Sequence, residues 1–460
     1  MKTKEISIEE AIAYCEKQEG YFYDKKALEI QPRKLEKHAV AFANSDGGEL
    51  VIGIVDDSDE QDALKRWNGA SDMEDFNGII QSLINLSPSI NFKYNFLKCV
   101  KLNGLVLILT IEKGNQVHKT SDDCVYVRSN ASSMQVKDPS KIQELAFAKG
   151  TSSYEDELVK STQLEKVVES NAIKYFLEQI PTKSDSLDYV VNENLTNIKD
   201  FYPRVAGILL FSDNPSANLP RKCAVKIARY ETRDDNPERD HLKDSYTLEG
   251  PLYNLIYDSV AKVAEIMSGI QIWTVDGLKS VNYPPEAVHE IIANAIIHRD
   301  YSISDDVQIK LFNDRIEVLS PGRLPGYITV ENILDSRFSR NTKIVRTLNR
   351  YNKAPNKDMG EGLNTAFQKM KEWRLKSPQI MEEENFVRVI IPHTSLASPE
   401  QTVLEFLDKN DMIQNRQARE LTGIRSENTM KNVFYKLRDE GLIERVPHLD
   451  GPNSAWRKTQ

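Results

Sequence analysis

The sequence predicts an α/β protein built from several domains. Its 460 residues suffice for about three domains of ordinary size, and 40% of them are hydrophobic. Short apolar strands alternate with amphipathic helices over most of the chain, whereas residues 399–460 show three helical segments and an extended tail. We therefore expect α/β domains followed by a small helical domain.

Charge and cysteine content narrow the class of protein. The formal net charge of −9 excludes a uniformly basic nucleic-acid coat, so any such contact must come from local patches. The four cysteines form no pair with metal-ligand spacing, which suits a reducing compartment. No stretch approaches the roughly 20 apolar residues that a membrane span requires. We expect a cytoplasmic protein with no membrane association.

The first 150 residues predict one α/β domain. A helix is expected over 5–18 and another through KLEKHAVAFANS. The turn Asp46-Gly47-Gly48 leads into an apolar strand over 49–55, and further strands are expected at 105–112 and 124–128. A helix from Pro139 to Lys149 closes the domain, and the polar stretch 150–161 predicts a linker.

Residues 19–148 resemble the Schlafen AlbA-like domain through DKKALEIQ, AFANSDGGELVIGIVDD and VYVRSNAS. The resemblance implies contact with DNA or RNA. In the nuclease branch of that family three carboxylates hold Mg²⁺ or Mn²⁺ for phosphodiester cleavage, and these correspond to Asp24, Glu29 and Asp56. In the alternative interpretation, Asp24 and Glu29 are solvated charges and Asp56 ends a strand. Gln31 replaces the lysine of the family pattern, so binding without cleavage is the expectation.

Residues 151–280 predict a linker and an α/β connecting region. Apolar runs at 205–211 and 223–230 are interpreted as strands, and no catalytic pattern occurs there.

Residues 281–395 carry a candidate nucleotide site. A helix is expected from Pro285 to His298, and its Glu290 and Asn294 are four residues apart and share one face. An amide oxygen can complete the oxygen shell of a magnesium ion that carries nucleotide phosphates. A hairpin follows with its turn at Asn313-Asp314, and a glycine-rich turn opens a helix at Gly362. The spacing of Glu290 and Asn294 alone also fits an ordinary polar helix face.

The segment from about 283 to 375 resembles the GHKL-type ATPase domain of proteins called RecG-like transcriptional regulators, through HEIIANAIIHRDYS, RIEVLSPGRLP, SRNTKIVRTL and MGEGL. The resemblance implies an α/β sandwich that binds ATP, with Asn294 on Mg²⁺ and Glu290 as candidate base. It implies further cofactor-binding roles for His298, Arg299, Gly322, Arg340, Asn341, Gly360 and Gly362. Ser320-Pro321-Gly322 stands where that family carries an adenine-binding Asp. No G-x-x-x-x-G-K-[ST] phosphate loop occurs, so helicase activity is not expected.

Residues 396–460 follow the order of a winged helix-turn-helix. The third helix is the candidate recognition helix, and its candidate nucleic-acid contacts are Lys431, Asn432, Lys436 and Arg438. Residues 415–460 contain nine Lys or Arg against six Asp or Glu, a net of +3. Winged helices also serve in protein interaction or dimerisation, which is the alternative.

Three functions therefore stay open. The first is a regulator or defence component in which ATP binding switches engagement of DNA or RNA, as a homo-oligomer. The second is a metal-dependent nuclease that acts through Asp24, Glu29 and Asp56. The third is an assembly scaffold with a degenerate nucleotide pocket.

Overall fold

The structure is a computed structural model that describes residues 3–274, 277–356, 362–393, 399–449 and 454–459. The chain divides into two compact units. The first unit consists of Met1–Ser153 with Leu324–Arg340, and the second of Tyr154–Arg323 with Asn341–Gln460. A short segment from the middle of the sequence thus belongs to the N-terminal unit. In the described part of the chain, every helix is too short or too polar to cross a membrane.

The first unit is an α/β domain with a mixed sheet. Its elements are β1 (Thr3–Ile6), α1 (Ile8–Glu16), β2 (Tyr23–Lys26), α2 (Pro32–Asn44), β3 (Gly48–Ile52), α3 (Asn77–Ile84), β4 (Phe92–Cys99), β5 (Leu105–Ile111), β6 (Val125–Ser129), β7 (Ser132–Val136) and α4 (Pro139–Lys149). Five strands form a sheet in the order β1-β4-β5-β3-β2, and β6 pairs with β7 as a separate hairpin. In the sheet, β1 is parallel to β4 and β2 to β3, and the other pairs are antiparallel.

Helices cover both faces of this sheet. Leu35 and Phe42 of α2 pack with Leu107 and Leu109 on one face. Residues of α1 pack with Val51 and Val106 on the other. Because β5 is buried on both faces, its sequence is a continuous apolar run.

The N-terminal elements agree with the sequence predictions except at the start. The expected helices α2 and α4 and strands β3, β5 and β6 are confirmed. The helix expected over 5–18 is shorter, because Thr3–Ile6 forms a strand beside β4. Ser7 then begins α1 through a capping box with Glu10, in which each side chain accepts from the other's backbone N–H.

The second unit combines helices with a six-stranded sheet. Its elements before the C-terminal segment are α5 (Glu165–Val168), α6 (Asn171–Gln179), α7 (Ser186–Asn192), α8 (Val205–Phe211), α9 (Pro215–Asn218), β8 (Val225–Tyr230), β9 (Leu242–Leu248), α10 (Leu252–Ser268), β10 (Gln271–Thr274), β11 (Gly277–Ser280), α11 (Pro285–Ile297), β12 (Val307–Leu311), β13 (Arg315–Pro321), α12 (Thr342–Leu348), α13 (Gly362–Glu372), β14 (Gln379–Glu382) and β15 (Phe386–Pro392). The sheet order is β14-β15-β13-β12-β8-β9.

One core joins this sheet to its helices. Strand β8, from the region predicted as a connector, is parallel to β12, and the remaining pairs are antiparallel. A single hydrophobic cluster runs from Val159 to Ile391 and includes the buried face of α11. Helix α11 is thereby fixed against the sheet, and its partly exposed residues Glu290 and Asn294 are held in place.

One prediction for the middle of the chain is wrong, whereas the boundary between the two units falls inside the stretch predicted as a linker. Residues 205–211 form helix α8 rather than a strand, and all seven are buried. The stretch predicted as a linker contains Glu155, which is fully buried. Its carboxylate accepts hydrogen bonds from the backbone N–H groups of Lys343 (2.8 Å) and Ile344 (3.0 Å) at the first turn of α12. From Tyr154 onward the stretch is therefore part of the second unit.

The C-terminal segment forms three helices and a small sheet. Its elements are α14 (Pro399–Leu407), β16 (Ile413–Gln414), α15 (Asn415–Thr422), α16 (Glu427–Asp439), β17 (Ile443–Arg445) and β18 (Ala455–Lys458), with sheet order β16-β18-β17. Phe406, Phe434 and Leu437 form its core. The Phe434 ring stacks on Trp456, with the ring centroids 5.3 Å apart.

Candidate nucleotide and nucleic-acid sites

Helix α11 presents a carboxylate and an amide side by side. Pro285 occupies the first turn, where its missing N–H costs nothing, and the 3.6-residue period places Glu290 and Asn294 on one face. Both are partly exposed, and Asn294 Nδ2 donates to Glu290 Oε1 at 3.0 Å. This hydrogen bond uses the amide nitrogen of Asn294, whereas the atom that suits Mg²⁺ is its amide oxygen.

The start of α13 lies against the same carboxylate. A Cβ atom on Gly362 would stand 1.7 Å from Glu290 Oε1, so no other residue fits without moving Glu290. The buried Ala366 and Met370 hold α13 in place. The structure therefore brings Glu290, Asn294 and Gly362 together at a helix N-terminus, where anions are favoured. Gly360 lies outside the described residues.

Arg299 and Asn341, which the resemblance assigns to the cofactor, are both buried in the fold. Arg299 is 1% exposed, and its guanidinium donates to the carbonyls of Lys222 (3.2 Å) and Ile303 (3.1 Å). Asn341 is also 1% exposed and donates through Nδ2 to the carbonyls of Ile297 (2.8 Å) and Arg299 (2.9 Å). Asn341 thus fastens the C-terminal end of α11, and Arg299 fastens the turn that follows it.

The other expected cofactor residues lie at chain turns. The backbone N–H of His298 donates to the Asn294 carbonyl and ends α11. Gly322 is buried with φ +102°, a conformation that favours glycine, and its N–H donates to Asn385 at 2.8 Å. Gly322 thereby shapes the turn in which the resemblance places it. Arg340 is 4% exposed and belongs to the first unit, where its carbonyl accepts from Ser153 Oγ at 3.0 Å.

The Ser320-Pro321-Gly322 turn is tied to α11. Ser320 Oγ donates to the Ala295 carbonyl at 2.7 Å. Asp300 is 4% exposed, and its N–H donates to the Pro321 carbonyl at 2.8 Å. Asp300 was not among the predicted site residues. Its position after the HisArg pair of HEIIANAIIHRDYS was the available signal, but only the fold places it beside this turn.

In the first unit, Asp24 lies in a buried charge network. It is 1% exposed, and its Oδ2 accepts from Arg128 Nη1 at 2.7 Å and from His38 Nδ1 at 3.0 Å. Lys26 Nζ donates to the other oxygen. Burial acts to raise the pKa of Asp24, but the hydrogen bond from His38 and the charge of Lys26 outweigh burial and hold the pKa below its usual range. Asp24 is thus an ionised member of a structural network.

His38 and Arg128 were missed by the sequence reasoning. Burial lowers the pKa of His38 despite its carboxylate partner, so the ring is neutral at pH 7 and Nδ1 carries the proton donated to Asp24. Ser133 Oγ lies 3.3 Å from the same nitrogen, so the three groups do not form a relay through both ring nitrogens. An arginine inside the apolar run VYVR was the one available signal for Arg128.

Glu29 and Asp56 do not join Asp24 in a metal site. Glu29 is exposed and accepts from Asn68 Nδ2 at 3.1 Å. Asp56 Oδ1 accepts from the Ser58 N–H at 3.0 Å and closes a local turn. Among the described residues, no group of three or more His, Cys, Asp or Glu side chains is arranged to hold a metal ion. The donor set predicted for Mg²⁺ or Mn²⁺ is therefore not assembled, because each carboxylate serves a different local structure.

Helix α16 carries the predicted nucleic-acid contacts on its outer face. Lys431 pairs with Glu427 (2.7 Å), Lys436 with Glu400 (2.9 Å) and Arg438 with Asp439 (2.7 Å), and Asn432 is exposed. Exposed pairs of this kind contribute about 0–1 kcal/mol each. These cations can therefore exchange their partners for phosphates at little cost.

Two segments of the chain match known protein families. Residues 17–137 match the family model "Schlafen, AlbA_2". Residues 304–391 match HATPase_c_4, described as "Putative ATP-dependent DNA helicase recG C-terminal". The chain therefore contains one segment similar to AlbA_2 domains and one similar to ATPase domains. Both resemblances drawn from the sequence motifs are confirmed.

Some of the candidate site residues lie inside the two matched segments, and others lie outside them. The AlbA_2 match contains Asp24, His38 and Arg128. The ATPase-like match begins after α11, so it includes Gly322 and Gly362 but neither Glu290 nor Asn294. The chain is also similar to the crystal structure of the DIP2311 protein from Corynebacterium diphtheriae, at 17% identity over 98% of this chain and 83% of that chain, with a TM-score of 0.40. No curated protein matches the chain.

Proposed function

We propose that the protein binds ATP with Mg²⁺ at the α11–α13 site and that ATP binding switches its engagement of nucleic acid. The observation that carries the nucleotide half is the meeting of Glu290, Asn294 and Gly362 beside the ATPase-like domain. Asn294 would hold Mg²⁺ through its amide oxygen, and backbone N–H groups at the start of α13 would face phosphate. Mg²⁺ would neutralise phosphate charge, and Glu290 is the candidate base for any turnover.

The nucleotide half is tested by titrating ATP and Mg²⁺ into the full chain in a calorimeter. Asn294→Ala should lower the affinity at least tenfold, because the metal loses its protein ligand. Asn192→Ala, an exposed helical asparagine of the same unit, is the matched control and should bind as the wild type does. Equal ATP affinity in Asn294→Ala and wild type would overturn this site.

The C-terminal segment is proposed to be a winged helix that contacts DNA or RNA through α16. Three helices, a small antiparallel sheet and exposed cations on the third helix support this reading. Substituting Lys436 or Arg438 with Ala should weaken binding similarly for all sequences and reduce the salt dependence by about one ion each. Unchanged salt dependence in both variants would favour a protein-interaction role for this segment.

The AlbA_2 domain is proposed to bind nucleic acid without cleaving it. Separate local roles for Asp24, Glu29 and Asp56 favour binding over metal-dependent cleavage. Labelled tRNA and DNA incubated with Mn²⁺ should therefore stay intact while remaining bound. Cleavage that is lost in Glu29→Ala would contradict this part and establish the nuclease.

The switch needs a connection between nucleotide and nucleic acid, and residues 324–340 are the candidate for it. They follow β13 of the ATPase-like sheet in sequence yet belong to the first unit. There, Lys113 Nζ donates to the carbonyls of Leu324 (3.2 Å) and Ile328 (3.3 Å), and the Phe338 ring covers Gly150 and Gly326. A switch of this kind suits a cytoplasmic transcriptional regulator or defence component that acts as a homo-oligomer.

A further inference from the structure

An aromatic cleft of about 670 Å³ opens in the second unit, and none of its lining residues has been assigned a role above. It is lined by the first two turns of α6 and α10, by Asp213 and by Tyr351 and Lys353. Tyr175, Tyr253, Tyr257 and Tyr351 contribute its rings. This volume lies within the range of about 300–1,000 Å³ that is typical of small-ligand sites.

The four rings form a continuous platform. Tyr351 is buried, and Tyr253 stacks on it with a centroid distance of 3.9 Å and an interplanar angle of 16°. Tyr175 lies 6.0 Å from Tyr253 and Tyr257 lies 5.0 Å from it. Tyr175 remains 45% exposed, so the platform ends in an open aromatic surface. Its ring is tilted by 49° to that of Tyr253 and by 34° to that of Tyr351, so a planar ring placed there would lie on the face of Tyr175 alone.

Hydrogen-bonding groups surround the platform. Burial raises the pKa of Tyr253 to about 12, so its hydroxyl stays a neutral donor and acceptor. The amides of Asn171 and Asn254 and the carboxylate of Asp258 lie on the rim and are exposed. Such groups can pair with ring nitrogens and exocyclic amines.

The charge of the cleft argues against a track for phosphates. Lys353, whose Nζ lies 5.3 Å from the Tyr257 ring centroid, is its one cation among the lining residues, all of which are described. Asp213 and Asp258 oppose it. Asp213 accepts from the N–H groups of Asn171 (3.2 Å) and Ala172 (3.4 Å), so it is already fixed at the start of α6. A neutral, flat group such as a base therefore suits the cleft better than a phosphate does, and the phosphates of a bound strand would lie outside it.

We propose that this cleft binds a nucleobase, by stacking on Tyr175 and by pairing with the polar rim. The base comes from an unpaired stretch of nucleic acid or from a free nucleoside. The strand form rests on the proposed nucleic-acid function, whereas the nucleoside form does not. Stacking on an aromatic side chain is available only to a base outside a duplex.

Fluorescence anisotropy tests whether the base belongs to an unpaired strand. Labelled single strands and duplexes of about 12 nucleotides are titrated with the full chain. Tyr175→Ala should weaken single-strand binding roughly five- to hundredfold, leave duplex binding unchanged and leave the salt dependence unchanged. Tyr175→Phe, which keeps the ring, should bind as the wild type does. Trp373→Ala is the matched control, because Trp373 is 44% exposed in the same unit and does not line the cleft.

Calorimetry with cytidine and uridine tells whether the cleft takes a free nucleoside or a base of an unpaired strand. These nucleosides carry no adenine and no phosphate, so they should not occupy the proposed ATP site. Nucleoside binding that Tyr175→Ala abolishes supports a free base as the ligand, and Tyr175-dependent strand binding alone supports an unpaired base. Wild-type affinity of Tyr175→Ala for both strands and nucleosides overturns the inference. A wild-type protein that binds neither strand nor duplex overturns the proposed function, and the nucleoside titration then decides the cleft by itself.

Discussion

The Asp24 network shows how one side chain can fit a family motif and serve the fold. Arg128 is buried and donates to Asp24 (2.7 Å), Ser133 Oγ (3.2 Å) and the Gly20 carbonyl (2.5 Å). A buried cation of this kind needs its partner, because its solvation has been lost. The carboxylate is therefore held by the protein itself rather than kept open for a metal.

Replacing Asp24 tests this role. Asp24→Asn leaves Arg128 without its counter-ion and should lower the free energy of unfolding by about 3–5 kcal/mol, measured by urea denaturation. Asp123→Asn is the control, since Asp123 is exposed with φ +60°, which asparagine tolerates, and should change stability by less than about 0.5 kcal/mol. The pKa of Asp24 is lower in the folded than in the unfolded chain. Its contribution to the free energy of unfolding is therefore complete above about pH 4 and is lost on further acidification. A stable Asp24→Asn variant would contradict the structural role.

Single residues of this network were only partly predictable. Asp24 stands in the DKKALEIQ motif, but its partner Arg128 is 104 positions away. Sequence spacing reveals neighbours within one helix or strand, as for Glu290 and Asn294. It leaves no trace of a side-chain pair that only the tertiary fold brings together, so the carboxylates looked like a metal site.

At the scale of elements, Glu155 fixes the start of α12. Two backbone N–H groups and the Thr342 hydroxyl (3.3 Å) donate to this buried carboxylate. The cap joins the chain before α5 to the helix after residue 340. It satisfies donors that a helix N-terminus otherwise leaves open.

Glu155→Ala should lower the free energy of unfolding by about 2–4 kcal/mol, because buried N–H groups lose their acceptor. Glu155→Gln keeps one acceptor oxygen and should cost clearly less. Thermal and urea unfolding of the two variants measure the difference. Equal loss in both would mean that side-chain volume, rather than the cap, matters at this position.

Elements with local signals were predicted well, and those without them were not. The AFANSDGGELVIG segment predicted α2, the glycine turn and β3, and Pro139 marked the start of α4. In contrast, VAGILLF is apolar at every position, and such a run fits a buried strand and a buried helix equally. Complete burial of α8 explains why its sequence carries no helical period.

At the scale of the whole molecule, buried histidines should make stability depend on pH. Burial lowers the pKa of His38 and His118, and lowers that of His393 to about 4. The unfolded chain takes up protons near pH 6.5 while the folded chain resists them, so stability should fall as the pH drops from about 7 to 4. For His393 alone the loss at pH 5 is about 2 kcal/mol.

Urea denaturation between pH 7.5 and 5 checks this dependence. His393→Gln should flatten it, because glutamine does not titrate. An unchanged slope in the variant would show that His393 contributes little and that its pKa is not depressed in the folded chain.

The proposed coupling of ATP binding to nucleic-acid binding through residues 324–340 also involves the whole molecule. Lys113→Met removes the donor to the Leu324 and Ile328 carbonyls and keeps the aliphatic stem. The variant should still bind ATP and nucleic acid, but ATP should alter its nucleic-acid affinity less than in the wild type. Lys119→Met, at an exposed lysine of the same unit, is the control. Full coupling in Lys113→Met would exclude these contacts as the connection.

In the proposed function, ATP and nucleic acid each alter the affinity of the protein for the other. Anisotropy titrations of a labelled oligonucleotide, with and without saturating ATP and Mg²⁺, measure this directly in wild type and Asn294→Ala. We expect ATP to change the oligonucleotide affinity of the wild type by about fivefold or more and that of Asn294→Ala not at all. The oligonucleotide should change the ATP affinity of the wild type by the same factor. Identical oligonucleotide affinities in the wild type, with ATP shown to be bound, would contradict the proposed function.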